Sequence, residues 1–326
     1  MRALVVEQLL PDYAGCVVKE IATPEPGPGE VRIKVRAAAV NFPDLMQTRG
    51  EHQHKPTVPF VGGLELAGEV DKLGAGVIGF AVGDAVVSGG RGGFAEYAVL
   101  PAATLRRKPA NLSFSQAAGY PVAYLTAYVA FSRNTQVQPG EWVLVHGAAG
   151  GVGLAAVDYA KLLGAKVIAA SASDEKLKII ADEYDVDATV NVSGGFRERV
   201  KEITGGRGAD VIYDPVGGDV FDESIRCIAF GGRILSIGFT SGRLPVLPVN
   251  IALIKGFSVH GVRAGEYGRQ NPAKGAENNV AIWKLAEAGK VKPRVDAEYP
   301  LSGWRDAFET LAQRKVVGKT VIRPDL

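Results

Sequence analysis

Cysteine is nearly absent from this chain. Its 326 residues include only Cys16 and Cys227, which lie far apart and outside any C-x-x-C pattern. This usage excludes a disulfide framework and a cysteine-based structural zinc module. Because scarce, unpaired cysteine is typical of reducing compartments, we expect a cytoplasmic protein.

The chain also lacks an excess of charge of either sign. Its 37 Lys and Arg residues nearly balance 35 Asp and Glu residues, giving a formal net charge of +2. We therefore expect neither a basic surface for nucleic acid nor an acidic tail. Apolar residues make up 47% of the chain and charged residues 22%, which is typical of globular proteins, and the length suits two domains.

Long apolar runs are scarce as well. One charge-free segment, from Asn111 to Ser132, is long enough to cross a bilayer, but it contains Gly119 and Pro121 together with several polar residues. It predicts a buried helix between domains rather than a membrane span. At the N-terminus, the apolar run of residues 3–6 meets the charge of Glu7 too soon for a signal peptide.

Two kinds of pattern follow one another along the chain. Short strand-like runs separated by Pro- and Gly-rich turns come first, at residues 3–7, 16–20, 31–40, 66–73 and 85–87. Strand candidates then alternate with helical patterns: strands at 142–146, 166–171, 188–192, 210–214, 232–238 and 256–262, helices at 152–163, 174–184, 196–203 and 219–228. This alternation predicts an α/β domain with a doubly wound parallel sheet. The tail, with helices near 273–289 and 304–314 and a strand at 319–322, is expected to fold back on the first domain.

The most informative stretch runs from Trp142 to Gly153, where an apolar strand enters a glycine-dense turn that opens a helix. This is the context of a dinucleotide-binding fingerprint, here a variant with Ala148 in place of the first glycine. Gly150 allows backbone amides to approach a pyrophosphate, and Gly153 allows the helix to pack close to the strand. The expected cofactor contacts in this turn are Ala149, Gly150, Gly151 and Val152.

The end of the second strand predicts which dinucleotide is bound. An NAD site usually has an acidic residue there, but this strand ends in Ser171. Ser173 and Lys176 follow, so two hydroxyls and an ammonium are available for a 2′-phosphate. Ser173 equally suits the N-cap of a helix over 174–184, with Lys176 solvated. We favour NADPH over NADH.

These features together resemble the medium-chain dehydrogenase/reductase superfamily, in particular its zinc-free NADPH:quinone oxidoreductase branch, the zeta-crystallin-like group. The resemblance spans essentially the whole chain and is carried by the segments at 25–31, 40–44, 93–97, 124–128, 145–153, 213–218 and 318–319. It implies a β-rich GroES-like catalytic domain (1–120 and 266–326) and a Rossmann NADPH-binding domain (121–265). It also implies an active site between them and a homodimer formed through the edge strand of the Rossmann sheet.

The resemblance further implies the residues of the site. Zinc-dependent relatives carry a cysteine near residue 41 and Gly-His-Glu near residue 63, whereas this chain has Asn41 and Gly63-Leu64-Glu65. We therefore expect no metal. Asn41 is the candidate donor to a substrate oxygen or the nicotinamide ribose, although it also suits a turn. Asp44 orients Asn41 or caps the next helix. The residues expected along the nicotinamide are Thr126, Pro215, Gly238 and Phe239.

The sequence departs from this branch at four places. His52 follows Gly50-Glu51 where relatives often carry a tyrosine; it is either a proton donor or a solvated loop residue. Gly62 replaces a usual proline, and Val192 cannot supply the tyrosine contact to the 2′-phosphate seen in some relatives. Arg263 is either an anchor for an anionic acceptor or a surface ion-pair residue.

The leading hypothesis is a cytoplasmic, metal-free, NADPH-dependent reductase that transfers a hydride to quinones or related α,β-unsaturated carbonyls. Two alternatives stay open: an enoyl-thioester or enone reductase, marked by Arg263 and His52, and a non-catalytic NADPH-binding structural or sensor protein.

Overall fold

The computed structural model describes residues 1–326 and divides the chain into two compact units. Unit 1 comprises Met1–Val122 and Pro293–Leu326, and unit 2 comprises Ala123–Lys292. The first boundary lies close to the predicted one at 120/121. The second follows Lys292 rather than residue 265, so residues 266–292 belong to unit 2 and not, as predicted, to the first domain.

Unit 1 begins as a β-rich structure. Its first pass forms β1 (Arg2–Val6), β2 (Cys16–Glu20), β3 (Glu30–Val40), α1 (Phe42–Arg49), β4 (Phe60–Val61), β5 (Leu66–Leu73), β6 (Ala85–Ser88), β7 (Tyr97–Pro101), β8 (Arg106–Arg107) and α2 (Phe114–Ala118). β1 pairs antiparallel with β2 and β4 in a small sheet. The long strand β3 pairs with β5 and β7 in a larger one.

The segment predicted as one buried helix over residues 111–132 is helical but not continuous. The structure has α2 and, after Gly119, α3 (Tyr120–Tyr128), which continues into a π-helix at Val129–Asn134. The side chain of Ser113 caps α2 by accepting the N–H of Gln116. The absence of charge in this segment reflects burial rather than one continuous helix. No helix of the protein is both long enough and apolar enough to span a bilayer.

Unit 2 alternates strands and helices. It contains β9 (Trp142–Val145), α4 (Gly151–Leu162), β10 (Lys166–Ser171), α5 (Asp174–Tyr184), β11 (Ala188–Asn191), α6 (Arg197–Ile203), β12 (Ala209–Asp214), α7 (Gly218–Cys227), β13 (Ile228–Ser236), α8 (Val249–Lys255), β14 (Ser258–Gly261), α9 (Ala264–Gln270) and α10 (Pro272–Glu287). The six strands are parallel in the order β11-β10-β9-β12-β13-β14. The predicted doubly wound sheet is confirmed.

Residues 266–292 belong to unit 2 because their helices pack there. The guanidinium Nε of Arg133, in the π-helix, donates to Asn278 Oδ1 of α10 at 2.7 Å, and Arg133 also pairs with Glu277 at 2.8 Å. The backbone N–H of Lys292 donates to Asp158 of α4 at 2.7 Å. These contacts join positions more than a hundred residues apart, so the hydrophobic pattern does not reveal them.

The end of the chain completes unit 1. It forms β15 (Val295–Pro300), α11 (Trp304–Ala312) and β16 (Lys319–Arg323). β16 pairs antiparallel with β3, with Thr320 opposite Val40. The sheet order is β15-β16-β3-β5-β6-β8, with β7 also on β3. α11 contributes Trp304 and Phe308 to the apolar core of this unit. The predicted return of the tail is therefore confirmed for residues 293–326, whereas the helix predicted near 273–289 belongs to unit 2.

Candidate functional site

The turn after β9 forms a cradle of backbone groups in unit 2. α4 begins at Gly151, and its N-cap, Gly150, offers no side chain to cap the first turn. The N–H groups of that turn and the helix dipole therefore suit an anionic ligand. A Cβ at Gly153 would lie 2.1 Å from the backbone oxygen of Gly147, so this close packing of helix and turn requires glycine. Ala149 and Val152 lie on either side of Gly150 and Gly151 in this turn, and the contact of these four residues with a phosphate stays a prediction.

Two further loops lie beside this cradle at the carboxyl ends of the strands. A Cβ at Gly147 would come within 3.4 Å of the Pro215 ring, which follows β12. The backbone oxygen of Pro215 accepts both the N–H and the hydroxyl of Thr240, each at 3.1 Å. Gly238 lies on the same loop as Thr240, and a Cβ there would be 3.4 Å from the Pro215 oxygen. The structure thus brings Pro215, Gly238 and the half-exposed Phe239 close to the glycine turn.

A buried carboxylate fixes the loop after β12. Asp214 Oδ1 accepts the N–H groups of Val216 at 2.8 Å and Gly217 at 2.9 Å. Gly217 has a φ of +68°, in the left-handed region that favours glycine. Burial raises the pKa of Asp214, and the two N–H donors oppose that rise. The conformation of this loop is therefore set from within unit 2.

The carboxyl end of β10 is where the sequence predicts the 2′-phosphate. Ser173 is the N-cap of α5, and its hydroxyl accepts the Lys176 N–H at 3.4 Å. The Ser173 N–H in turn faces the Ser171 hydroxyl at 3.4 Å. The nearby acid, Asp174, accepts a hydrogen bond from the Asn191 side chain at 2.8 Å. The three predicted residues therefore lie together, and the capping function of Ser173 is confirmed.

Unit 1 contains a second group of polar residues, made of side chains. Asn41 follows β3, and its Nδ2 donates to Glu65 Oε1 at 2.9 Å and to the Ala39 oxygen at 3.3 Å. Lys319 Nζ, from β16, donates to Asn41 Oδ1 at 2.7 Å and to Glu65 Oε1 at 2.9 Å. The other Glu65 oxygen accepts the Val122 N–H at 3.0 Å. Asn41, Glu65 and Lys319 are all buried; we call them the Asn41 cluster.

Asp44 lies in the first turn of α1, next to this cluster. Its Oδ2 accepts the backbone N–H of Asn41 at 2.8 Å, which confirms its predicted cap. Its Oδ1 is buried without a hydrogen-bond partner. Burial raises the pKa of Asp44 to about 7. The carboxyl therefore holds the backbone of Asn41 and keeps a proton where an exposed aspartate is ionised.

Three predicted residues remain: His52, Thr126 and Arg263. His52 is in the loop after α1, where its Nδ1 accepts the backbone N–H of His54 at 3.2 Å. No group of three or more His, Cys, Asp or Glu side chains is arranged to hold a metal ion. Arg263 precedes α9, is half-exposed and lies 3.8 Å from Glu266, as in its predicted ion-pair alternative. Thr126 lies on α3. A functional contact for His52, Arg263 or Thr126 stays a prediction.

The sequence pattern did not lead to the partners of Asn41. Glu65 stands in Gly63-Leu64-Glu65 and Lys319 follows Gly318, two segments from which no part in the site is predicted. A signal does exist: each is a lone charge within an apolar stretch, Gly62–Gly68 and Lys319–Ile322, and the two charges are opposite. Buried charges occur in proteins when they are paired, so two such residues predict one another.

Comparison with known proteins agrees with both units. Residues 27–110 match the alcohol dehydrogenase GroES-like domain, and residues 151–279 match the zinc-binding dehydrogenase family. The chain is 40% identical to a quinone oxidoreductase-like protein 2 homolog of Nematostella vectensis, over 94% of this chain and 85% of that protein. It is 35% identical to a quinone oxidoreductase of Pseudomonas aeruginosa, over 92% of this chain and 93% of that protein.

Solved structures show the same likeness. The quinone oxidoreductase of Escherichia coli, determined in complex with NADPH, superposes with a TM-score of 0.89 at 29% identity, covering 99% of this chain and all of that one. The mycobacterial protein Rv1454c, also complexed with NADPH, gives a TM-score of 0.89 at 29% identity, again over 99% of this chain and all of that one.

Proposed function

Because the chain belongs to the zinc-free, quinone oxidoreductase-like branch of the medium-chain dehydrogenase/reductase superfamily, and is thus an oxidoreductase, we propose that it is an NADPH-dependent, metal-free reductase of quinones or related α,β-unsaturated carbonyls. The observation that carries this proposal is the uncapped, glycine-lined start of α4 beside the Pro215 and Gly238 loops. This combination of backbone donors and close-packed glycine suits a dinucleotide.

In this proposal the residues of unit 2 bind the cofactor and orient it. The first turn of α4 would donate N–H groups to the pyrophosphate of NADPH, and the loop fixed by Asp214 would hold Pro215 towards its nicotinamide. Gly238 and Phe239 complete that wall. When bound, NADPH supplies the hydride, which adds to carbon of the acceptor while negative charge moves to its oxygen. That oxygen then takes a proton from solvent water.

The residues of unit 1 act on the acceptor. Quinones and conjugated carbonyls are already electrophilic, so a hydrogen-bond donor at the developing oxyanion is sufficient help without a Lewis acid. We assign this donor to the Asn41 carboxamide, with Asp44 fixing the backbone from which it extends.

The choice of NADPH rests on the end of β10. Ser171, Ser173 and Lys176 gather donors there, and Asp174, the nearby acid, is bonded to Asn191. Changing Ser171 and Lys176 together to alanine should reduce the preference for NADPH over NADH about tenfold or more, the effect of losing a charge-assisted contact. Lys178→Ala is the matched control, because Lys178 lies on the same helix but pairs with Asp182 at 2.7 Å.

The test of the function is oxidation of NADPH and NADH, followed optically, with 1,4-benzoquinone, 9,10-phenanthrenequinone, an aliphatic enone and crotonyl-CoA. NADPH-preferring turnover of the quinones supports the proposal. Turnover of crotonyl-CoA alone would assign the protein to the thioester reductases, and tight NADPH binding with no turnover at all would contradict the catalytic proposal.

A homodimer through unit 2 is part of the proposal. β14 is the edge of the six-stranded sheet and pairs only with β13. The neighbouring helix α8 exposes Val249, Leu253 and Ile254, each more than 70% accessible. An unpaired edge beside an apolar surface suits pairing with a second copy. Leu253→Glu with Ile254→Glu should give monomers by light scattering, whereas Ile78→Glu, at an equally exposed position in unit 1, should not.

A cytoplasmic location is also proposed. It rests on Cys16 and Cys227, which are both buried free thiols. Cell fractionation checks it; recovery of the protein from an oxidising compartment would contradict it.

A further inference from the structure

The carboxamide of Asn41 lies between two opposite charges. Its oxygen accepts from the Lys319 ammonium at 2.7 Å, and its nitrogen donates to the Glu65 carboxylate at 2.9 Å. All three side chains are buried, and Glu65 is fully so. In such surroundings each hydrogen bond is stronger than in water, and each unsatisfied group costs more.

These two charges determine which way the amide faces. If the carboxamide turned over, its N–H groups would face the ammonium, and its oxygen would face the carboxylate. Both contacts would then be repulsive, donor against donor and acceptor against acceptor. The observed orientation is therefore fixed by Lys319 and Glu65 together.

The two hydrogens of the Asn41 amide are not held equally. The one directed at Glu65 makes a charge-assisted bond at 2.9 Å, while the other reaches the neutral Ala39 oxygen at 3.3 Å. Hydrogen bonds to ionised acceptors are about twice as strong as neutral ones. The Asn41 hydrogen that is bonded to the Ala39 oxygen is thus the one that can be donated to an acceptor oxygen instead.

The stem of Lys319 is also confined. A Cβ added at Gly119 would lie 3.0 Å from Lys319 Cγ and 3.2 Å from its Cβ, tighter than ordinary contact. Gly119 has a φ of −83°, which alanine adopts readily. Gly119→Ala therefore displaces the lysine without removing any polar group.

We propose that Lys319 and Glu65 are positioning residues that fix the direction of the Asn41 carboxamide, so that its second N–H is aimed at the acceptor oxygen during reduction. The inference rests on the function proposed above. Lys319 and Glu65 act through Asn41 and are not assigned contacts with the acceptor.

The first test is a double-mutant cycle between Asn41→Ala and Lys319→Met. Lys319→Met should lower kcat with a quinone about 10- to 100-fold, as expected of a misplaced catalytic donor, with the NADPH dissociation constant unchanged. Combined with Asn41→Ala it should lower kcat little further. If the two substitutions lowered kcat independently, so that their fold-changes multiplied in the double variant, the inference would be overturned. An unchanged kcat in folded Lys319→Met would overturn it as well.

Two other variants separate positioning from stability. Lys319→Arg, which keeps the charge, should recover part of kcat, and Gly119→Ala should lower kcat about threefold or more with the cluster chemically intact. Arg233→Met breaks a partly buried pair with Glu141 at 2.8 Å in unit 2, so it should lower Tm and leave kcat unchanged. A kcat in Gly119→Ala equal to that of the wild type, or a loss in Arg233→Met equal to that in Lys319→Met, would count against positioning.

A measurement without turnover distinguishes this inference from the proposed function. Nuclear magnetic resonance of 15N-asparagine-labelled protein reads the two side-chain protons of Asn41, assigned with Asn41→Ala. In the wild type they should be well separated in shift and slow to exchange, and Lys319→Met should bring them together and speed exchange. If Lys319→Met changed neither the shifts nor the exchange rates of these protons, the orientation argument would be overturned. A wild type inactive on every acceptor would overturn the proposed function alone.

Discussion

The two candidate site regions are built in opposite ways. In unit 2 the turn after β9 consists of backbone groups exposed by glycine, and its first helical turn has no side-chain cap. In unit 1 the Asn41 cluster consists of buried side chains that satisfy one another. The first arrangement leaves donors for a ligand, and the second uses nearly all its donors internally.

This contrast indicates where each region is vulnerable. A backbone cradle is damaged by added atoms, because its packing depends on missing side chains. A buried polar cluster is damaged by removed atoms, because each loss leaves a partner unsatisfied. Four predictions sharpen or break the comparison.

The largest effect is expected from Glu65→Gln. The carboxylate holds the Lys319 ammonium, the Asn41 amide and the Val122 N–H, and it is fully buried. Breaking a buried ion pair on one side costs roughly 3–5 kcal/mol of unfolding free energy. Urea unfolding measures this. The control is Glu25→Gln, whose exposed pairs with Arg32 and Lys72 should contribute far less to stability; equal losses in both variants would show that burial is not the cause.

Adding one methyl group to the cradle should come next. Gly153→Ala forces a Cβ to 2.1 Å from a backbone oxygen, which must move, and we expect a loss of about 2–3 kcal/mol. Gly150→Ala is the matched change, because its Cβ would meet the same Gly147 oxygen at an ordinary 3.4 Å. It should keep the unfolding midpoint and weaken NADPH binding in calorimetry. A Gly150→Ala protein as unstable as Gly153→Ala would contradict the distinction between packing and ligand approach.

The same contrast explains what could be predicted from the sequence. The glycine turn is contiguous, so its strand, turn and helix appear within twelve residues, and the helix predicted at 174–184 matches α5. The Asn41 cluster joins residues 254 and 278 positions apart, and no periodicity links them. Asn41 and Asp44 were found because they stand in the segment 40–44 that carries the family resemblance, whereas the place of Glu65 depends on the pairing of β3 with β5 and that of Lys319 on the pairing of β3 with β16.

The misplaced boundary has a similar origin. Residues 264–287 form two helices with no strand between them, and a helical pattern alone does not indicate which core it covers. Their place in unit 2 depends on contacts such as Arg133 with Asn278. The break in the helix at Gly119 was not predicted, because an uncharged segment indicates that it is buried but not that it forms one continuous helix.

The pH dependence of unit 1 should follow Asp44. Burial raises the pKa of this group to about 7 from its ordinary 3.8. Its contribution to stability is therefore complete below pH 3.8 and is lost as the pH rises through 7. Between pH 5 and 7 the titration of Asp44 should lower the unfolding free energy of the wild type by about 2 kcal/mol, and Asp44→Asn should lack this decrease in urea unfolding. An identical slope in Asp44→Asn and wild type would show that another group titrates.

The smallest expected effect is a change of stability with pH in unit 2, in the direction opposite to that of Asp44. His146, directly before the glycine turn, donates from Nε2 to Ser224 Oγ at 2.8 Å, since that hydroxyl donates its own hydrogen to Val220. Burial lowers the pKa of His146 from 6.5 to about 3. Its contribution is thus complete above pH 6.5 and is lost as the pH falls towards 3.

His146→Gln retains a donor without the titration. As the pH falls from 7.5 to 5.5, titration of His146 should lower the unfolding free energy of the wild type by about 1 kcal/mol, and His146→Gln should lack this decrease. Over the same interval the titration of Asp44 raises the unfolding free energy. The wild type can therefore seem insensitive to pH while both groups titrate, and only the two single variants separate them. If His146→Gln and Asp44→Asn shifted the pH profile in the same direction, the assignment of a neutral imidazole to unit 2 and a protonated carboxyl to unit 1 would be wrong.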